Sequence, residues 1–266
     1  MTDEITTDSI LDDRLRLRQP RRGHRAGSDA ILLAAAAPVR AGDNVLDIGA
    51  GVGAVGLALA LRCPRAMVDL VEIDPALATR ARENSDLNDL AQSVGVLVIN
   101  FMSAPQRKQA GLHAGAADVV VSNPPYFEAG AVRISPDADR ARAHVLAPSA
   151  DIHPLQRWIA EALSLLRPGG CFVMIHLPEA LNIILGAFAG QLGSQAILPI
   201  YPKAAAPAHR LLIGGVKGAR GPTRLLPGLI LHDASGGFTP QAEALHRGQS
   251  LLDLGLPRAR ARKPPR

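Results

Sequence analysis

Asn123-Pro124-Pro125-Tyr126 is the stretch whose residue types best suit chemistry, because it directly follows the apolar run Val119-Val120-Val121-Ser122 and so stands where a buried strand ends. A side-chain amide, carbonyls with no competing N–H behind them and an aromatic face are what a planar amino group needs in order to be held and stacked. The two prolines fix the backbone and remove donors, leaving the carbonyls free to accept. Taken alone, the tetrapeptide also reads as a proline-rich turn that closes a strand.

Upstream, residues 45–53 form an apolar strand that runs into a glycine-rich turn, followed by a helix-like stretch over 54–61. Gly49, Gly51 and Gly53 permit positive φ and let a ligand approach the backbone, while the first N–H groups of the helix face the crevice. Residues 51–56 also fit the G-x-G-x-x-G pattern of nicotinamide and flavin enzymes. Asp47 argues against that reading: a carboxylate at the mouth of the turn would repel a pyrophosphate and welcome the ammonium of a methionine. The D-x-G-x-G-x-G spacing therefore favours S-adenosylmethionine.

A second strand over 68–73 carries Glu72 near its end, where a carboxylate can accept from both ribose hydroxyls. Asp74 precedes Pro75 and a helix over 76–87, which is the pattern of an N-cap. A third strand over 94–99 ends in Asn100-Phe101, an amide and an apolar ring placed to meet a cofactor adenine.

With these motifs in hand, the chain resembles the Rossmann-type S-adenosylmethionine-dependent methyltransferases of the N6-adenine kind, and within them the bacterial tRNA1(Val) adenine-N6-methyltransferases. The resemblance runs from residues 23–33 through both motifs to 239–243. It implies a cofactor set of Asp29, Asp47, Gly49, Gly51, Gly53, Glu72 and Asn100, and an acceptor set of Asn123, Pro124, Pro125 and Tyr126. Asn100 departs from the pattern: an Asp is usual there, and Asn supplies an acceptor without a charge. In the family the 23–29 segment lies beside the methionine pocket, so Asp29 either contacts the cofactor or caps the helix that begins at Ala30.

The implied chemistry is an in-line displacement at a sulfonium, in which catalysis is mostly positioning and charge placement. The Asn123 side-chain oxygen and the Pro124 carbonyl would each take one N6 hydrogen, and Tyr126 would stack on the base, a contact worth about 1 to 3 kcal/mol. No metal, covalent intermediate or strong general base is called for.

Alternating strands and helices predict an α/β fold with a parallel sheet and helices on both faces. The resemblance refines this to a Rossmann-like seven-stranded methyltransferase sheet, mostly parallel, whose last strand is antiparallel. Later expected elements are a helix over 154–166, a strand over 171–176, a helix from Pro178 through Ala189, strands over 196–200 and 210–216, and a helix opened by Thr239-Pro240. The 266 residues, 47% hydrophobic, suffice for one large core, with a basic N-terminal segment at 1–29, the methyltransferase domain at 30–256 and a basic tail at 257–266. Cys63 and Cys171 read as reduced buried thiols of a cytoplasmic protein, and no apolar run reaches the roughly 18 residues of a membrane span. A monomer is the default.

The net charge of +5 owes much to Arg14, Arg16, Arg18, Arg21, Arg22 and Arg25, and to Arg258, Arg260, Arg262, Lys263 and Arg266. Both runs read either as contacts to RNA phosphates or as solvated segments. The loop over 128–149, with Arg133, Arg140, Arg142 and His144, reads either as a closure over substrate or as a solvated loop. Trp158 sits in an apolar helical face and is expected in the core, and His176 has no ligand cluster around it in the sequence.

The expected function is N6-methylation of an adenine in RNA, an anticodon-loop adenine of tRNA in the first place, since such a base needs little unstacking. One alternative is a protein glutamine amide, because release-factor methyltransferases use the same Asn-Pro-Pro-Tyr pocket. Those enzymes carry a helical domain before the glycine motif, and only about 44 residues precede it here. Methylation of an rRNA or DNA base, and a non-enzymatic RNA-binding module, complete the set.

Overall fold

A computed structural model describes residues 5–21, 26–125 and 152–258. The chain opens with a hairpin, β1 (Ile5–Ile10) and β2 (Leu15–Pro20), followed by α1 (Ser28–Ala36), β3 (Asn44–Ile48), α2 (Ala54–Arg62), β4 (Met67–Glu72), α3 (Pro75–Leu87), β5 (Val94–Val98), α4 (Ala104–Gln109) and β6 (Ala117–Ser122). Beyond residue 151 come α5 (Pro154–Leu165), β7 (Leu166–His176), a 3₁₀ turn (Pro178–Ala180), α6 (Leu181–Phe188), β8 (Leu192–Lys203), β9 (Arg210–Lys217), β10 (Arg224–Leu225), β11 (Leu229–His232) and α7 (Pro240–His246).

Five strands pair in parallel in the spatial order β5-β4-β3-β6-β7. β9 joins antiparallel to both β7 and β8, as expected for the last strand of the seven. Two short strands, β10 and β11, add to β8 and make nine. At four residues or fewer they fall below the length at which a period becomes visible in the sequence.

Both faces of the sheet are covered, which is why β6 reads as an unbroken apolar run. Val119 and Val121 pack with α1, α2 and α7, whereas Val120, one residue out of phase, packs with α5 and α6. Cys171 is buried in β7 as expected, with a free thiol that burial pushes up to about 11, whereas Cys63, just past the end of α2, is free but only half-buried. Among the described residues no helix is long and apolar enough to cross a membrane.

The N-terminal segment departs from expectation. Alternation in Leu15-Arg16-Leu17-Arg18 turns Leu15 and Leu17 into the core and the arginines outward, so the run is a strand. Asn84 on α3 and Asn88, the C-cap of that helix four residues on, then grip its backbone: Asn84 takes the Arg18 N–H at 2.7 Å and donates to the Arg18 carbonyl, and Asn88 does the same for Arg16 at 2.9 and 2.7 Å. The Arg14 guanidinium donates to the carbonyls of Leu11, Arg247 and Gly248, and that of Arg16 to Leu87. These two charges cap backbone carbonyls and do not project as a free basic run. Arg22 and Arg25 lie outside the described residues.

At the other end, Arg258 is a structural residue and not part of a solvated tail. Its guanidinium donates to both oxygens of Asp43, at 2.5 and 3.0 Å, and to the Pro38 carbonyl, with both side chains only 1% exposed. Arg260, Arg262, Lys263 and Arg266 lie outside the described residues. Removing one member of a buried pair strands the other charge, so Arg258→Ala is expected to cost about 3 kcal/mol or more. A urea midpoint unchanged from the parent would show that the pair contributes nothing.

Candidate active site

The chain leaves β3 toward β4 and β5 and returns on the opposite side of β3 as β6, so the carboxyl ends of β3 and β6 flank a topological switch point. Ile48 and Ser122 are register partners at the last rung, and the Ser122 hydroxyl donates to the Ile48 carbonyl at 2.9 Å. The glycine turn follows Ile48 and Asn123 follows Ser122, which brings the two sequence motifs to adjacent positions on one edge. Asn123 is half-buried, Pro124 buried and Pro125 exposed. Tyr126 and the loop over 128–149 lie outside the described residues.

All three glycines have the left-handed backbone that the turn requires, with φ of +74° at Gly49, +57° at Gly51 and +88° at Gly53. Their surroundings differ. A Cβ on Gly53 would lie 2.8 Å from the Leu70 side chain and one on Gly49 would lie 3.1 Å from the Trp158 ring, while Gly51 has nothing within 4 Å. Open space at Gly51, with the carboxylate of Glu72 beside it, fits a nucleoside-bearing cofactor laid across the strand ends.

Glu72 ends β4 as expected. Its Oε2 accepts the Gly51 N–H at 2.7 Å and its Oε1 accepts the Ile73 and Asp74 N–H groups at 2.9 Å, so the carboxylate is held from both sides. Asp74 caps α3 through the N–H groups of Ala76 and Leu77. Asn100 is engaged locally: its Oδ1 accepts from Met102 N–H at 3.0 Å and its own N–H donates to Gln106. The next residue, Phe101, stands edge-on to Trp158 with ring centroids 4.5 Å apart. Arg107 holds this corner, donating to the Phe101 carbonyl and pairing with Glu161 of α5 at 2.8 Å.

The placement expected of Asp47 and the cap expected of Asp29 are not what the structure shows. Asp47 is behind the turn, not at its mouth: it is 1% exposed, and its Oδ2 accepts the Gly56 N–H in the first turn of α2 at 2.9 Å. Burial raises its pKa to about 7, the Gly56 hydrogen bond opposes this, and the charge of Glu72 adds to it. Asp29 does not cap α1, whose N-cap is Gly27 without a side-chain bond; it pairs with Arg210 Nε at 2.8 Å. Arg210 opens the antiparallel strand β9, so it arrives at the same sheet edge as the carboxyl ends of the parallel strands. His246 reaches Ser28 from α7 at 2.9 Å and braces the same helix start.

Sequence reasoning put Trp158 in the core, and it is buried, yet it also forms a wall of the crevice. Its Nε1 donates to the Ser122 hydroxyl at 3.0 Å while its ring covers Gly49. No local pattern signals this, because α5 is distant in sequence from both motifs. His176, at the carboxyl end of β7, is buried and its pKa is pushed down by that burial. Among the described residues no three His, Cys, Asp or Glu side chains converge as a metal site would require.

A strand-turn-helix cradle at the switch point, with a carboxylate at the end of the next strand, defines the class: this is a Rossmann-like S-adenosylmethionine-dependent methyltransferase. Comparison with known proteins agrees. The Methyltransferase small domain family matches residues 25–138. The tRNA1(Val) (adenine(37)-N6)-methyltransferase of Serratia proteamaculans is 34% identical over 193 residues, covering 71% of this chain and 69% of that protein. The protein of the same name from Musicola paradisiaca is 28% identical over 251 residues, 92% of this chain and 94% of that one. The crystal structure of a predicted O-methyltransferase from Agrobacterium tumefaciens superposes with a TM-score of 0.70 at 28% identity, covering 85% of this chain and 98% of that one. The chain belongs to the tRNA1(Val) (adenine(37)-N6)-methyltransferase family.

The buried Asp47 gives a pH signature. A carboxyl whose folded pKa lies above its ordinary value binds its proton more tightly when folded, so stability is lost as pH rises from near 3.8 through about 7. Asp47→Asn keeps an acceptor for Gly56 without the charge. Its melting temperature should gain on the parent progressively across that interval and hold the gain above it; a gap independent of pH would contradict the assignment.

Proposed function

We propose that this protein transfers a methyl group from S-adenosylmethionine to the N6 nitrogen of an adenine in tRNA, at the anticodon-loop position for which its relatives are named. The observation that carries this is the adjacency of the two loops that follow Ile48 and Ser122, one lined by glycines and the other carrying an amide and a proline carbonyl.

When bound, S-adenosylmethionine supplies an electrophilic methyl on a sulfonium. Glu72, held by three backbone N–H groups, would present its remaining lone pairs to the ribose hydroxyls, and the open space at Gly51 would admit the cofactor close to the backbone. Asp47 acts from behind: by accepting from Gly56 it pins the first turn of α2 and with it the shape of the glycine loop. On the acceptor side, Asn123 Oδ1 and the Pro124 carbonyl each take one N6 hydrogen. This draws the nitrogen toward tetrahedral geometry and turns its lone pair to the methyl. Pro125 has no N–H to compete for the Pro124 side of the site. The proton released on transfer passes to water. An unpaired loop adenine enters such a site at little unstacking cost.

Incubation with labelled S-adenosylmethionine and tRNA lacking the modification, followed by digestion to nucleosides, should yield labelled N6-methyladenosine. Labelled methylglutamine from a release factor, with none in tRNA, would overturn the reading. Asn123→Ala should lower transfer by at least about a hundredfold, because one of two positioning acceptors is gone. Calorimetric affinity for S-adenosylhomocysteine should stay within about threefold, a change under 1 kcal/mol. Equal loss of both would count against the acceptor role.

A further inference from the structure

Trp158 touches three walls of the crevice that have no covalent connection to one another nearby. Its Nε1 donates at 3.0 Å to the hydroxyl of Ser122, the residue immediately before Asn123. That hydroxyl in turn donates at 2.9 Å to the carbonyl of Ile48, the residue immediately before Gly49. The far edge of the indole lies against Gly49 itself, where even a methyl group would sit 3.1 Å from ring carbons Cζ2 and Cη2. The ring also meets Phe101 in an edge-on contact at 4.5 Å. Both Ser122 and Trp158 are buried, so the relay from indole to hydroxyl to carbonyl is shielded from water and its geometry is restricted to a single arrangement.

A chain of this kind does more than fill space. An indole donates only once, and Ser122 uses its one hydrogen on Ile48, so the hydroxyl has a defined orientation: it receives from Trp158 and gives to β3. Contact on both sides means that a shift of the glycine turn would press on the ring, and a shift of the ring would pull on the hydroxyl at the start of the Asn123 loop. We propose that Trp158 is a positioning residue which, through Ser122, couples the cofactor turn at Gly49 to the acceptor loop at Asn123. The inference rests on the assignment of those two loops to cofactor and acceptor, and it does not depend on which acceptor is used.

The protein contains one tryptophan, so its emission reports this residue alone. Four proteins decide the matter: the parent, Trp158→Phe, which keeps an aromatic ring against Gly49 and Phe101 without the N–H, Ser122→Ala, which keeps the ring and removes its acceptor, and the double variant. Without any ligand, the emission of Ser122→Ala should lie to the blue of the parent, since the indole has lost its hydrogen bond. S-adenosylhomocysteine should change the parent emission saturably, with the midpoint found by calorimetry. In transfer to whichever acceptor the parent labels, each single variant should lose about ten- to a hundredfold in kcat while the KM for S-adenosylmethionine stays within about threefold. The double variant should be no worse than the more affected single one, as expected of two residues acting through one bond.

Independent, multiplicative losses in the double variant, or a parent-like kcat in both single variants, would overturn the coupling. So would parent emission that does not respond to S-adenosylhomocysteine binding measured by calorimetry. Should Trp158→Phe fail to fold, Ser122→Ala decides by itself through its emission and its kcat. A parent that labels neither tRNA nor protein would refute the proposed function, and the two emission measurements would then decide the coupling.

Discussion

The register of β3 against β6 is the constraint on which the rest of the molecule depends. Parallel strands send all their carboxyl ends to one edge, and neighbouring strands lie about 4.8 Å apart, so residues following a register pair begin as neighbours. Here the pair is Ile48 and Ser122, fastened by the serine hydroxyl, and the residues that follow are Gly49 and Asn123. A slip by one residue would turn Val120 and Val121 to the wrong faces of a sheet buried on both sides. The apolar packing of β6 therefore enforces the juxtaposition of the two loops.

At both ends of these strands, buried carboxylates organise the backbone. Asp47 takes the Gly56 N–H, Glu72 takes those of Gly51, Ile73 and Asp74, Asp43 takes that of Arg40 and pairs with Arg258, and Asp118 takes that of Asn44 and pairs with Arg167. Each satisfies a backbone donor, and each fixes the direction of a strand end or turn. At the carboxyl edge, Asp47 and Glu72 set backbone dipoles before any ligand arrives, which suits a reaction that relies on orientation more than on acid or base chemistry.

Much of this was legible in the chain. The two motifs, their strands, the cap at Asp74, the position of Glu72 at the end of β4 and the antiparallel β9 are where the residues and the resemblance put them. The less legible features share a cause: they depend on partners far away in sequence. Leu15 and Leu17 alternate with arginines in a way that signals a strand, but the charges draw the eye, and only Asn84 and Asn88, some seventy positions away, show what that strand docks on. Asp29 begins a helix in the manner of a cap, yet its cation comes from β9, 181 positions along the chain. Arg258 reads as part of a basic tail until Asp43 appears opposite it.

By itself, the sequence determined what is local: glycines where φ must be positive, prolines where donors must be absent, apolar runs long enough to be buried on both faces, and hence the class of fold and of chemistry. The tertiary structure alone decided the directions of side chains whose partners are remote. It turned Asp47 behind its loop by offering it the Gly56 N–H, closed Arg14 and Arg16 onto backbone carbonyls, and set Trp158 of α5 between two motifs that no sequence spacing connects to it. The physical reason is that burial and hydrogen-bond satisfaction are properties of three-dimensional neighbours, and the sheet crossover brings those neighbours together only once the chain has folded.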